Sequence, residues 1–277
     1  MIQPGIFAKT FDRPSLTDVL DAVVEHGFNR LQFNMACAGL PSMPEQISFE
    51  LPGQIATAML NRNLKMDALS GTFNMIHPDR KIRHHGLKSL ELLICNAKQM
   101  GTSVITLCTG SCDKDDMWRF HPGNNSGEAW KDLCNTLEQA LETAESKDVI
   151  LGVEPELANV INSAEKGKRL LKEMQSRHLK IVFDPANLFE KEDKKEREKI
   201  IADGLELLGE NIVIAHAKDR KSDGSITAAG LGVLPYSFFL KNLKQTGFDG
   251  PLIAHGLTEY EAKQCSIFLN QQLGVWQ

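Results

Sequence analysis

The sequence has no Pro-, Gly- or Ser-rich linker and no shift in composition along its 277 residues. Nothing divides the chain, and one domain spanning 1–277 is expected. It has no Gly-x-Gly-x-x-Gly turn after an early strand, which removes the usual dinucleotide site. It has no basic excess: 31 Lys and Arg against 36 Asp and Glu leave a net charge of −5. A chain without a basic face is not expected to hold nucleic acid. No apolar run approaches the roughly 18 residues that span a bilayer. Met1-Ile2-Gln3-Pro4-Gly5 also lacks the basic and then apolar stretches of a secretion signal. No membrane partner is expected, and the location expected is cytoplasmic. Cysteine is scarce and scattered, at Cys37, Cys95, Cys108, Cys112, Cys134 and Cys265. Only Cys108 and Cys112 lie close together, and no second Cys or His pair follows at zinc-finger spacing, so neither a disulfide framework nor a structural zinc is indicated. Most of the six are expected to be small buried hydrophobes.

Four short apolar runs in the second half each stop at a polar side chain. They are Val149–Val153 before Glu154, Ile181–Phe183 before Asp184, Ile212–Ala215 before His216, and Leu252–Ala254 before His255. A strand apolar on both faces that ends on a polar residue is how a buried parallel strand presents chemistry at its C-terminal end. The four polar residues follow one another at 30, 32 and 39 positions, the spacing of successive strand–helix units converging on one site.

Earlier segments fit the same alternation. Ile6–Ala8, Leu31–Asn34, Lys65–Ser70 and Val104–Leu107 read as strands. Ser15 caps a helix whose apolar stripe is Leu16, Val19, Leu20, Val23 and Val24, and Gly27 closes it. The order helix, glycine, short strand recurs at Gly101 and Gly247. Further helices are expected from Asn135 to Ser146 and from Ser163 to Gln175, and the charge run Lys191–Lys199 reads as the solvated face of a sixth helix. Eight strands, about eight helices and a 42% hydrophobic composition point to an α/β fold, a single closed (β/α)8 TIM barrel of roughly 250 residues. Two connections are long: Gly71–Arg83, with His77, and Thr109–Glu128, with Trp118 and His121. Both follow strands at the face where such loops carry substrate contacts. Trp118 and His121 would wall a polyol, or else simply belong to an ordered loop.

Glu154, Asp184, His216 and His255 form a mixed O/N donor set suited to Mn²⁺, Zn²⁺, Co²⁺ or Fe²⁺ rather than Ca²⁺. Such an ion stabilises the charge that builds when a proton leaves a carbon beside a carbonyl, and a glutamate is the natural base for that proton. Glu156 and Lys218 lie two positions beyond Glu154 and His216, so strand alternation aims them the same way. Lys218 would steady an enediolate or a phosphate, or pair with a neighbouring acid.

At these residues the chain resembles the sugar-phosphate isomerases and epimerases with xylose-isomerase-like barrels. The resemblance rests on Gly152-Val153-Glu154-Pro155, Phe183-Asp184-Pro185-Ala186-Asn187-Leu188, His216-Ala217-Lys218-Asp219 and Gly250–Leu257, with Gly5–Lys9 and Asn74–Asp79 in support. It implies one divalent ion, Glu154 as ligand and acid/base, and Asp184 and His216 as ligands. It implies a small carbohydrate as substrate; His77, Trp118, His121, Asn187 and Lys218 are the residues expected around it. The chain departs where the family usually has a second metal-binding glutamate on strand eight, because His255 stands there. A metal-bound imidazole nitrogen cannot also carry a proton, so either one base suffices, as in aldose–ketose isomerisation, or the second acid is Glu156, His121, or His255 if unbound. A metal-dependent lyase, a phosphodiesterase and a catalytically silent sugar-binding barrel are the alternative functions. Phe268, Leu269, Leu273, Val275 and Trp276 would form a homo-oligomer interface or close the last helix onto strand one.

Overall fold

A computed structural model describes residues 1–274; Val275 and Trp276 lie outside the described residues. Eight parallel strands close a barrel: β1 (Gln3–Phe7), β2 (Arg30–Phe33), β3 (Lys65–Ser70), β4 (Val104–Cys108), β5 (Ile150–Glu154), β6 (Leu179–Phe183), β7 (Ile212–Arg220) and β9 (Pro251–Ala254). Each pairs with the next, β6 with β7 completes the wall, and β9 pairs with β1 at Gly5↔Ile253. β7 runs past the barrel and folds back on a short antiparallel arm, β8 (Ile226–Ala228), in register Lys218↔Ala228.

Eight helices surround the strands: α1 (Leu16–Glu25), α2 (Leu51–Leu60), α3 (Arg80–Met100), α4 (Gly127–Lys147), α5 (Ala164–Met174), α6 (Lys194–Leu208), α7 (Tyr236–Gln245) and α8 (Glu259–Gly274). Their starts are set by short polar side chains. Ser15, Asp79, Ser126, Ser163 and Asp193 each accept a backbone N–H two or three residues on, satisfying donors that a helix's first turn leaves open. Gly27, Gly101 and Gly247 sit at φ +84°, +105° and +84°, the left-handed conformation that turns the chain from helix into strand at little cost. Among the described residues no helix is long and apolar enough to cross a membrane.

Two packed layers follow from the strands being apolar on both faces. Ala68, Val104, Val182, Ile214 and Ile253 fill the barrel interior. A larger cluster, including Leu31, Phe33, Leu90, Leu137, Ile181, Phe183 and Phe239, lies between strands and helices.

Several expectations need correction. α3 begins at Arg80, inside the expected connection Gly71–Arg83, and α4 begins at Gly127, ahead of Asn135. In the charge run only Lys194–Lys199 is helical, with Asp193 as cap. Val24 is 45% exposed while Val19, Leu20 and Val23 are buried, because it sits at the edge of the stripe in the last turn. Only Cys37, Cys108 and Cys265 are buried; Cys112 and Cys134 are half-buried and Cys95 is exposed. Leu269 is buried, and Phe268 packs edge-on against Tyr236 with ring centres 5.1 Å apart, so these two face the chain's own core.

Candidate active site

The C-terminal ends of the strands bring one polar cluster together. Glu154 ends β5 and pairs with Cys108 at the end of β4. Asp184 follows β6 directly, and His216 lies within β7. One ligand atom each from Glu154, Asp184 and His216 falls within 4.8 Å of the others, and all three residues are buried.

Hydrogen bonds fix this group from every side. Asp184 Oδ1 accepts the Ala186 N–H at 2.9 Å, which starts the short turn that carries Asn187. Asn187 Nδ2 donates to Glu154 Oε1 at 2.7 Å, and its Oδ1 accepts from Lys218 Nζ. Lys218 Nζ also lies 2.9 Å from Asp184 Oδ2. That oxygen is buried and accepts no hydrogen bond of good geometry. His216 sets Nδ1 at 3.2 Å from Glu154 Oε1 and 3.9 Å from Asp184 Oδ2, and Nε2 at 3.1 Å from Gln32 Oε1. Cys108 Sγ lies 3.9 Å from Glu154 Oε2.

His255 follows β9 and stacks on both sides. Its ring is 5.0 Å from that of His216 and 4.8 Å from that of Phe7, with interplanar angles of 16° and 13°. Its Nδ1 is buried with no hydrogen-bond partner. The cluster of three ligand atoms does not include it.

Charge and burial compete here, and the outcome differs by residue. Burial pushes the Glu154 carboxyl up, but His216 and Lys218 outweigh it and hold the group well below the usual carboxylate range. Burial drives Glu156 up to about 7; Lys218 opposes this, while Glu154 and Asp184 add to it. Burial works against the charged form of Lys218, yet Asp184, Glu154 and Glu156 keep its pKa above the ordinary value. Burial, with the charges of His216 and Lys218 beside it, pushes His255 down to about 3, so at neutral pH the ring is an uncharged imidazole.

The loop residues expected around a substrate are placed differently. His77 accepts the Asp79 N–H at Nδ1, which leaves Nε2–H for the Lys114 carbonyl at 3.0 Å. His121 Nδ1 accepts the Gly123 N–H and caps a turn. Trp118 is 52% exposed. Asparagines pin the loop carrying Trp118 and His121. Asn74 bonds Ser111 through both its oxygen and its nitrogen, Asn124 holds Cys112 N and Ala158 O, and Asn159 holds Gly110 N and Met117 O. Sequence reasoning missed Gln32 and Cys108, which lie in apolar strands and follow no motif.

The converging O, O and N atoms, among them buried Asp184 Oδ2 beside Lys218 Nζ and His216 Nδ1, fit a divalent ion of the Zn²⁺ or Mn²⁺ kind.

No curated protein matches the chain by sequence. In fold it is similar to the apo form of 3-keto-D-glucoside 4-epimerase YcjR from E. coli, with a TM-score of 0.73, 16% identity, and 98% of this chain and 100% of that one covered. It is similar to L-ribulose 3-epimerase (TM-score 0.76, 15% identity, 99% and 95% covered) and to the IolI protein with a binding zinc atom (TM-score 0.75, 17% identity, 100% and 99% covered). A sequence profile of the xylose isomerase-like TIM barrel matches residues 20–264, and the chain belongs to that family.

Proposed function

We propose that this protein is an isomerase or epimerase of a small sugar or sugar phosphate, acting through an enediolate. Glu154, Asp184 and His216 would hold a divalent ion, Mn²⁺, Zn²⁺ or Co²⁺, with His255 as the fourth donor. The observation that carries the reading is the convergence of three buried ligand atoms within 4.8 Å on adjacent strand ends. When bound, the ion would supply positive charge against the developing enediolate oxygens.

The chain's own groups do the rest. Asn187 donates to Glu154 Oε1, which also lies 3.2 Å from His216 Nδ1, so Oε2, beside the weak Cys108 thiol donor, is the oxygen that takes the substrate proton. Glu156, near enough to Glu154 and Asp184 to feel their charges, is the second proton carrier, and neutral His255 keeps a buried Nδ1 with no hydrogen-bond partner. Lys218 neutralises Asp184 and orients Asn187. His77, Trp118 and His121 form the outer wall through the loops they order.

The test is solvent-deuterium uptake into a panel of free ketoses and ketose phosphates. Glu154→Gln should leave the fold intact and abolish exchange, since it keeps size and one oxygen but removes the base. Unchanged exchange in that variant removes Glu154 from the mechanism. The second reading, a silent sugar-binding barrel, draws on the Lys218 ammonium already seated on Asp184. About one transition metal per chain by elemental analysis, lost in Asp184→Ala, excludes it.

A further inference from the structure

We propose that Gln32 is the positioning residue for His216, a role which rests on the metal reading of the site. Its amide oxygen takes the Nε2 proton, so Nδ1, the nitrogen facing Glu154 and Asp184, is the one that gives up its proton to an ion. Gln32 is 3% exposed within β2, between buried Leu31 and Phe33. A buried amide in such a wall needs a partner, and the partner is His216 Nε2, 3.1 Å away and 184 positions along the chain.

The geometry leaves the imidazole little choice. The stack of Phe7, His255 and His216 sets the plane of the ring. Rotation by half a turn about the Cβ–Cγ bond would put a ring carbon against the Gln32 oxygen and another against Glu154. The bond to Gln32 therefore fixes both the rotamer and the proton-bearing nitrogen. Nδ1, at 3.2 Å from Glu154 Oε1 and 3.9 Å from Asp184 Oδ2, is left as the nitrogen that can donate a lone pair. Outer partners of this kind tune a metal ligand through its second ring nitrogen. An amide does so without adding a charge to a centre that already contains Glu154, Asp184 and Glu156.

The test is zinc titration by calorimetry on the chelator-stripped full chain, comparing wild type with Gln32→Met and Gln32→Glu. Methionine keeps the volume and loses the acceptor, and affinity should fall by about 10–100-fold. Glutamate offers a stronger acceptor and should match or exceed wild type. A residue that only packs would give the opposite sign, because a buried carboxylate would hurt more than methionine. Long-range ¹⁵N spectra of zinc-loaded wild type should show His216 protonated at Nε2 and metal-bound at Nδ1. Equal affinities in all three proteins, glutamate as weak as methionine, or zinc on Nε2 would each overturn the assignment of Gln32. Absence of zinc binding in wild type would overturn the metal reading itself, and this role with it.

Discussion

Lys218→Met tests how the site balances its charge. The ammonium is 7% exposed and 2.9 Å from Asp184 Oδ2. Methionine preserves most of the stem and removes the charge together with the bond to Asn187. Breaking a buried pair by deleting one partner leaves the other charge uncompensated and costs about 3–5 kcal/mol. With a urea slope of roughly 2–3 kcal/mol/M, the unfolding midpoint in EDTA should drop by about 1–2 M. Zinc reverses the loss, because the ion seats where the ammonium was. At a thousand times its dissociation constant an ion adds about 4 kcal/mol to the variant, comparable to the deficit, whereas wild type, whose ammonium the ion must first displace, gains less. The variant should therefore be much weaker than wild type in EDTA and nearly equal to it in excess zinc, with tighter zinc binding than wild type. The assay is urea denaturation followed by far-UV circular dichroism, with and without zinc. A wild-type midpoint for Lys218→Met in EDTA would refute the buried pair. Equal zinc shifts in the two proteins would refute the competition.

Other outcomes follow from single contacts. His255→Glu adds a carboxylate beside the three candidate ligands and should shift metal preference toward Mn²⁺ or Mg²⁺ in competition titrations; unchanged preference for every ion removes His255 from the proposed ligand set. Gly110 sits at φ +81°, and a Cβ there would fall 2.0 Å from Asn74 Oδ1, so Gly110→Ala should cost about 1–3 kcal/mol in denaturation. Exposed Cys95 should react first with a thiol reagent, and buried Cys37 and Cys265 last. Burial pushes these two up to about 11 and about 12, so their native-state labelling should rise only as pH approaches those values. Rapid labelling of either at pH 8 would contradict their burial.

The barrel was legible because its strands are short, apolar on both faces and closed by polar residues. Glu154, Asp184 and His216 stood out at those ends and converge. What could not be read were elements without a periodic signal. α2 opens with Leu51, Pro52 and Gly53, which look like a turn, although proline suits a helix's first turn. The first turns of α3 are Arg80, Lys81, Ile82, Arg83, His84 and His85, whose one apolar residue, Ile82, is exposed; they are anchored by the Asp79 cap and by the Arg83–Asp132 pair. The β8 arm has three residues, too few to alternate. Gln32 was invisible for a different reason: its partner lies 184 positions away, and only closure of the barrel makes them neighbours.

The asparagine bonds around the Trp118 loop also bear on how the site trades its contents. Asn74, Asn124 and Asn159 fasten the connections after β3, β4 and β5 into one body, with the Val160 and Ile161 backbone N–H groups adding bonds to Gly110 O and Thr109 Oγ1. Swinging that segment aside would break all of these together, so on the timescale of turnover it behaves as masonry rather than as a door.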